Sequence, residues 1–267
     1  MSTPTPSSGR AALTGSAPVV ATLLDRIAAI ATPDLTDPAV AEFVEQFALD
    51  VSSVDPTQRA AFFAATGDQA FAVVQQIYAH DFGPRVRSVL DAVFGPSAPW
   101  PVGTPPADSW QLLEEFMVAV ARLRTLDPTL TELVRLRGAR LHDCAVCKSR
   151  RSQDAIDAGA DDATFAAVDT WPTSALAPVA KAALALTDAL VLTPYDVPAA
   201  TLTAVREQLT PDQVVEVVLD VMRNAANKIA VALGADAASV TAGVELFTTD
   251  ADGTLTVLAA PGAVPSS

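Results

Sequence analysis

Residues 210–222 read Thr-Pro-Asp-Gln-Val-Val-Glu-Val-Val-Leu-Asp-Val-Met, and this stretch decides the fold class. Thr210 offers a capping oxygen, and Pro211 occupies the first helical position, where its missing N–H is not needed and φ is preset. Val214, Val217, Val218, Val221 and Met222 then recur at three- and four-residue spacing, the period of one helix face.

The same grammar recurs upstream. Asp37-Pro38, Asp55-Pro56 and Asp127-Pro128 each open a segment of this kind, and Val40, Phe43, Val44 and Phe47 supply the stripe after the first. Gly67, Gly83-Pro84, Gly95, Gly159 and Gly234 stand where helical patterns are expected to end. Alanine, the best helix former, dominates the apolar set. The expectation is an all-α multi-helix bundle.

Punctuation divides the chain. Residues 1–16 are polar, with Pro, Ser and Gly, and are expected to be disordered. Residues 17–94 form an N-terminal helical region, 95–107 a Pro-rich linker or surface loop, and 108–235 a larger helical region. In 236–267, Val244–Thr249 and Thr254–Leu258 flank Asp250-Ala-Asp-Gly253, the pattern of a short β-hairpin closed by an Asp-Gly turn. Residues 260–267 are expected to be disordered.

The chain has 267 residues, half of them hydrophobic and only 18% charged, with a net charge of −14. That field argues against nucleic acid or an anionic membrane as a partner. No apolar run reaches the roughly 18 residues of a membrane span, and the N-terminus lacks the basic and apolar blocks of a signal peptide. Two cysteines cannot build a secreted disulfide scaffold, so the expected location is cytoplasmic.

Those cysteines are Cys144 and Cys147, in Leu141-His-Asp-Cys-Ala-Val-Cys-Lys148. A helix start near Asp143 or Cys144, running to about Ala158, would put Cys147 in its first turn. Free N–H groups and the dipole there favour a thiolate. Between Arg135 and Arg151 lie six basic residues (Arg135, Arg137, Arg140, Lys148, Arg150 and Arg151) against the single acid Asp143, a local charge of +5. Such a cluster either stabilises a thiolate and attracts anions, or pairs with carboxylates of neighbouring helices. Zinc is a rival reading of His142-x-Cys144-x-x-Cys147, but the second close-spaced ligand pair that structural zinc takes is missing. No metal or other cofactor is expected.

Glu132, eleven intervening residues, then Cys144-x-x-Cys147, on a helical background, resembles the AhpD-like alkylhydroperoxidase branch of the carboxymuconolactone decarboxylase family. The likeness is best over about 108–235, including the Pro211–Lys228 segment. It implies an AhpD-like bundle with an extra N-terminal region. It further implies a thiol peroxidase in which Cys147 attacks a hydroperoxide, Cys144 resolves the product as a disulfide, and Glu132 relays protons. The implied partners are a lipoyl or thioredoxin-like dithiol reductant and further copies of the chain in a homo-oligomer. Where the family pattern has a histidine four residues after the second cysteine, this chain has Arg151, which cannot serve as a base. Arg151 could instead pair with Glu132, leaving proton transfer to Glu132 or His142. Two alternatives stand beside this reading. One is a non-redox lyase or hydrolase acting on a small anion held by Arg151, His142 and Glu132. The other is an oligomeric helical protein with a vestigial site and a buried, unreactive Cys147.

Overall fold

The computed structural model describes residues 6–258 and is predominantly helical. The N-terminal helices are α1 (Gly9–Ser16), α2 (Pro18–Ile27), α3 (Pro38–Asp50), α4 (Pro56–Thr66) and α5 (Ala70–Phe94). Past an irregular stretch come α6 (Ser109–Ala121), α7 (Pro128–Leu141), α8 (Ala145–Lys148), strand β1 (Arg150–Ser152), α9 (Gln153–Asp157) and α10 (Asp162–Ala166). Then follow α11 (Pro178–Leu192), α12 (Ala199–Gln208), α13 (Pro211–Ala225), α14 (Lys228–Leu233) and strands β2 (Glu245–Thr249) and β3 (Leu255–Val257).

All four capped prolines start helices as expected. Asp37, Asp55 and Asp127 accept first-turn N–H bonds, and Thr210 and Gln213 form a reciprocal capping box. α13 is sheathed on nearly every side: Val214 to Met222 are all buried, Glu216 and Asp220 among them. It lies against α1, α5, α6, α7 and α11 and so forms the axis of the bundle.

The two helical regions share one hydrophobic core. α5 ties them together: the Tyr78 hydroxyl donates to the Met222 carbonyl at 2.6 Å, and Arg85 donates to the carbonyls of Ala48 and Val191. Residues 95–107 are irregular, as expected of a loop.

Several expectations fail. Residues 9–16 are helical: Gly9 sits so close to α5 that a Cβ there would lie 2.7 Å from the Leu90–Asp91 backbone, and Ala12 and Leu13 are buried. Gly83-Pro84 does not stop a helix, because α5 runs through it. The buried flanks Tyr78, Phe82, Val86 and Val89 outweigh the lost hydrogen bond of one proline. The helix after Cys144 ends at Lys148 and gives way to β1. The C-terminal hairpin forms, Thr248 opposing Thr256, but β2 also runs parallel to β1, with Arg150 opposite Glu245 and Ser152 opposite Phe247. The tail is therefore sewn to the segment after the cysteines. Residues 260–267 lie outside the described residues.

Candidate active site

Cys144 is the N-cap of α8, and Cys147 lies in that single turn. Their sulfurs are bonded, with the Cα atoms 5.3 Å apart. Cys144 is 1% exposed and Cys147 9%, so Cys147 is the less buried of the two, and both line the same cavity. The Cys147 N–H points at the Cys144 sulfur, 3.3 Å away. The remaining helix-start donors are taken by Asp236: its carboxylate accepts from the Ala145 N–H and its carbonyl from the Val146 N–H. The helix start thus favours negative charge on Cys144, where the sequence pointed to Cys147. Asp143 precedes the pair at φ +50°, a left-handed turn that acidic side chains tolerate.

Glu132 is 1% exposed and is gripped in a fork by Arg135, at 2.6 and 2.7 Å. It also accepts the Ser152 N–H at 3.2 Å. Arg135 reaches onward to the carbonyls of Cys147 and Arg150, at 2.9 and 2.8 Å, and lies over the Phe247 ring. This pair clamps the segment 147–152 onto α7. Sequence reading counted Arg135 only as local charge. Its position three residues after Glu132, a standard helical ion-pair spacing, was the available signal.

The basic cluster is largely neutralised. Arg137 pairs with Asp188, Arg140 with Asp169, Lys148 with Asp143 and Arg150 with Glu245. Arg151 does not pair with Glu132: it donates to the carbonyls of Lys148 and Arg150 and stays a cation at neutral pH, although burial pulls its pKa down. His142 is buried, and no partner reaches its Nε2 among the described residues. Burial, aided by the Lys228 and Arg85 cations, pushes its pKa down to about 3, so the imidazole is neutral and a poor base.

Two cavities flank the clamp. The smaller, about 80 Å³, touches both cysteines, His142, Asn224, Phe247 and Leu255. The larger, about 480 Å³, holds Glu132, Glu216, Asp220, Arg223 and the other side of Asn224. Arg135, Asn224 and Phe247 border both. Of the residues singled out from sequence, Cys144, Cys147 and His142 therefore share one chamber. Glu132 faces the other, and Arg151 lines neither. Asn224, Asp236, Phe247 and Leu255 were not foreseen as site residues, because only the tertiary fold brings them there. Among the described residues no group of three or more His, Cys, Asp or Glu side chains is arranged to hold a metal.

A helical bundle carrying a Glu-x11-Cys-x-x-Cys segment defines a protein class, and the comparisons agree with it. The Carboxymuconolactone decarboxylase family model matches residues 108–189, and the chain belongs to that family. It is 43% identical over 225 residues to an uncharacterized protein of Mycobacterium tuberculosis strain CDC 1551 and equally to one of strain H37Rv, covering 80% of this chain and 78% of each relative. The chain matches no solved structure. No helix among the described residues is long and apolar enough to cross a membrane.

Proposed function

We propose that the chain is a CxxC-dependent thiol peroxidase of the AhpD-like kind. The observation that carries this reading is the Cys144–Cys147 bond at the wall of a small cavity, with Cys147 the less buried residue of the pair. In the reduced protein, the Cys147 thiolate attacks the terminal oxygen of a hydroperoxide. The S–O bond forms as the O–O bond breaks, and an alcohol leaves once its oxygen is protonated. The Cys144 thiol then displaces water from the sulfenic acid, and the disulfide closes. The two thiols are oxidised and the peroxide is reduced.

A lipoyl or thioredoxin-like dithiol reverses the bond by attacking Cys147, the less buried of the two cysteines. Cys144 then leaves as a thiolate stabilised by the Cys147 N–H. Such a donor requires a reducing compartment, consistent with the cytoplasm. His142, with its low proton affinity, supplies no ready base, and Glu132 is engaged by the Arg135 fork and lines the other cavity. The thiols and solvent carry the protons, and the rate follows thiolate formation.

The test is turnover of cumene hydroperoxide with dihydrolipoamide, read alongside the mass of the intact protein. Peroxide should remove two hydrogens from the reduced wild type, and Cys147→Ser should abolish turnover. A disulfide that dihydrolipoamide cannot reduce, or turnover that survives Cys147→Ser, rejects the reading.

A further inference from the structure

The larger cavity contains more chemistry than the cysteine site uses. Most of its charged groups are satisfied internally. Glu216 accepts from the Thr125 hydroxyl and from the N–H groups of Thr125 and Leu126. Glu132 is held by Arg135. Asp154 accepts from the Thr248 hydroxyl and the Thr249 N–H, and Arg124 donates to the carbonyls of Leu123 and Asp250.

Three neighbours on α13 are not satisfied. Asp220 is 2% exposed, and its Oδ2 has no partner among the described residues. Asn224 Nδ2 is likewise orphaned, and the half-buried Arg223, which lines the same cavity, makes no side-chain hydrogen bond or ion pair among the described residues. Buried orphan polar groups are rare because each costs stability. Two such orphans, Asp220 Oδ2 and Asn224 Nδ2, on one void beside the Arg223 guanidinium make a built recognition site rather than a packing fault.

Arg223 and Asn224 stand three and four residues after Asp220, so the Cβ of each lies about 5–6 Å from that of Asp220, and all three line the cavity. Burial keeps Asp220 protonated up to about pH 7, so the carboxylates of Glu132, Asp154 and Glu216 stand against the guanidinium groups of Arg124, Arg135 and Arg223 around the cavity, and the charges balance. Net anions and net cations are therefore disfavoured. The fitting group is neutral, with a donor for Asp220 beside an acceptor for Arg223 and Asn224, as in a primary amide. Val120, Leu123, Leu126 and Phe247 wall the rest, which suits an apolar body. The volume, about 480 Å³, lies within the range of small-molecule sites.

We propose that this cavity binds a small, uncharged, amide-type organic ligand, with its head group clamped by Asp220, Arg223 and Asn224 and its apolar body against Phe247. Binding there requires no cysteine chemistry.

The probe is phenylacetamide, with phenylacetate and phenethylamine as charged controls, each titrated to about 10 mM, enough for millimolar affinity. Thermal shift and the side-chain amide resonance of Asn224 are read on the full-length protein. Phenylacetamide should raise Tm and move that resonance, and the charged controls should do so at least tenfold more weakly. Asp220→Leu and Arg223→Met should each weaken binding tenfold or more, and Asp220→Leu should raise the Tm of the free protein. Binding should persist in Cys144→Ser/Cys147→Ser, separating its fate from that of the peroxidase. No response to phenylacetamide in the wild type, tighter binding of either charged control, or binding unaffected by Asp220→Leu overturns the proposal.

Discussion

At the scale of single residues, His142 and Asp220 are both sealed from solvent, and burial drives their proton affinities in opposite directions. His142 falls from 6.5 to about 3. Between those values the unfolded chain holds a proton that the folded chain refuses, so this contribution is lost as pH falls below about 6.5. Asp220 rises from 3.8 to about 7, because burial, helped by the nearby Glu216, outweighs the opposing Arg223 cation. The folded chain then keeps a proton that the unfolded chain has released, so stability present below about 4 is lost as pH rises toward 7. Each difference is worth roughly 1 kcal/mol per pH unit. Between about pH 4 and 6.5 the two slopes cancel. Relative to wild type, Asp220→Asn should lose stability as pH falls from 6.5 to 4, and His142→Leu should gain it over the same range. Urea unfolding at pH 4, 5, 6 and 7 measures both. Curves parallel to wild type would show that these groups do not titrate as their surroundings require.

At the scale of elements, α7 holds the cysteine segment through one side chain. Arg135 makes a fork with Glu132 and two bonds to the carbonyls of Cys147 and Arg150. Arg135→Met leaves the Glu132 carboxylate buried and unpaired, and removal of one partner from such a pair costs about 3–5 kcal/mol. The double variant Glu132→Leu/Arg135→Met should recover much of that loss, because no orphan charge remains. Denaturant unfolding of the four-member cycle checks this, and additive losses would mean that the two residues stabilise the fold independently. Much at this scale was legible in the chain. Asp37-Pro38, Asp55-Pro56, Asp127-Pro128 and Thr210-Pro211 announce their helices because capping is local chemistry. The Cys144 cap and the tail hairpin were legible for the same reason. Passage of α5 through Pro84 was not, since tertiary burial decides it. Neither was the transfer of Glu132 to the second cavity, nor the pairing of the arginines with Asp188, Asp169 and Glu245, which lie 29–95 residues away.

At the scale of the molecule, the last strands of the chain close the first chamber. Phe247 and Leu255 wall the cysteine cavity, and the turn docks on α6 so closely that a Cβ on Gly253 would lie 2.5 Å from the Val118 carbonyl. Yet among the large hydrophobic side chains of 245–257 only Phe247 is fully buried, and Leu255 and Val257 are each 42% exposed. So little buried apolar surface anchors the hairpin weakly, whereas α13 is buried on nearly every side. Local opening draws on the least-packed elements first. Amide hydrogens of 245–257 should therefore exchange well before those of 214–222. Phe247→Ala removes the anchor and the wall together. It should speed reduction of the Cys144–Cys147 bond by dithiothreitol several-fold while α13 keeps its slow exchange. Unchanged reduction with a released hairpin would mean that reagents already reach Cys147 by another face. Slowed exchange at 245–257 in the reduced protein would place the closed hairpin in the dithiol state, tying the cover to the proposed redox cycle.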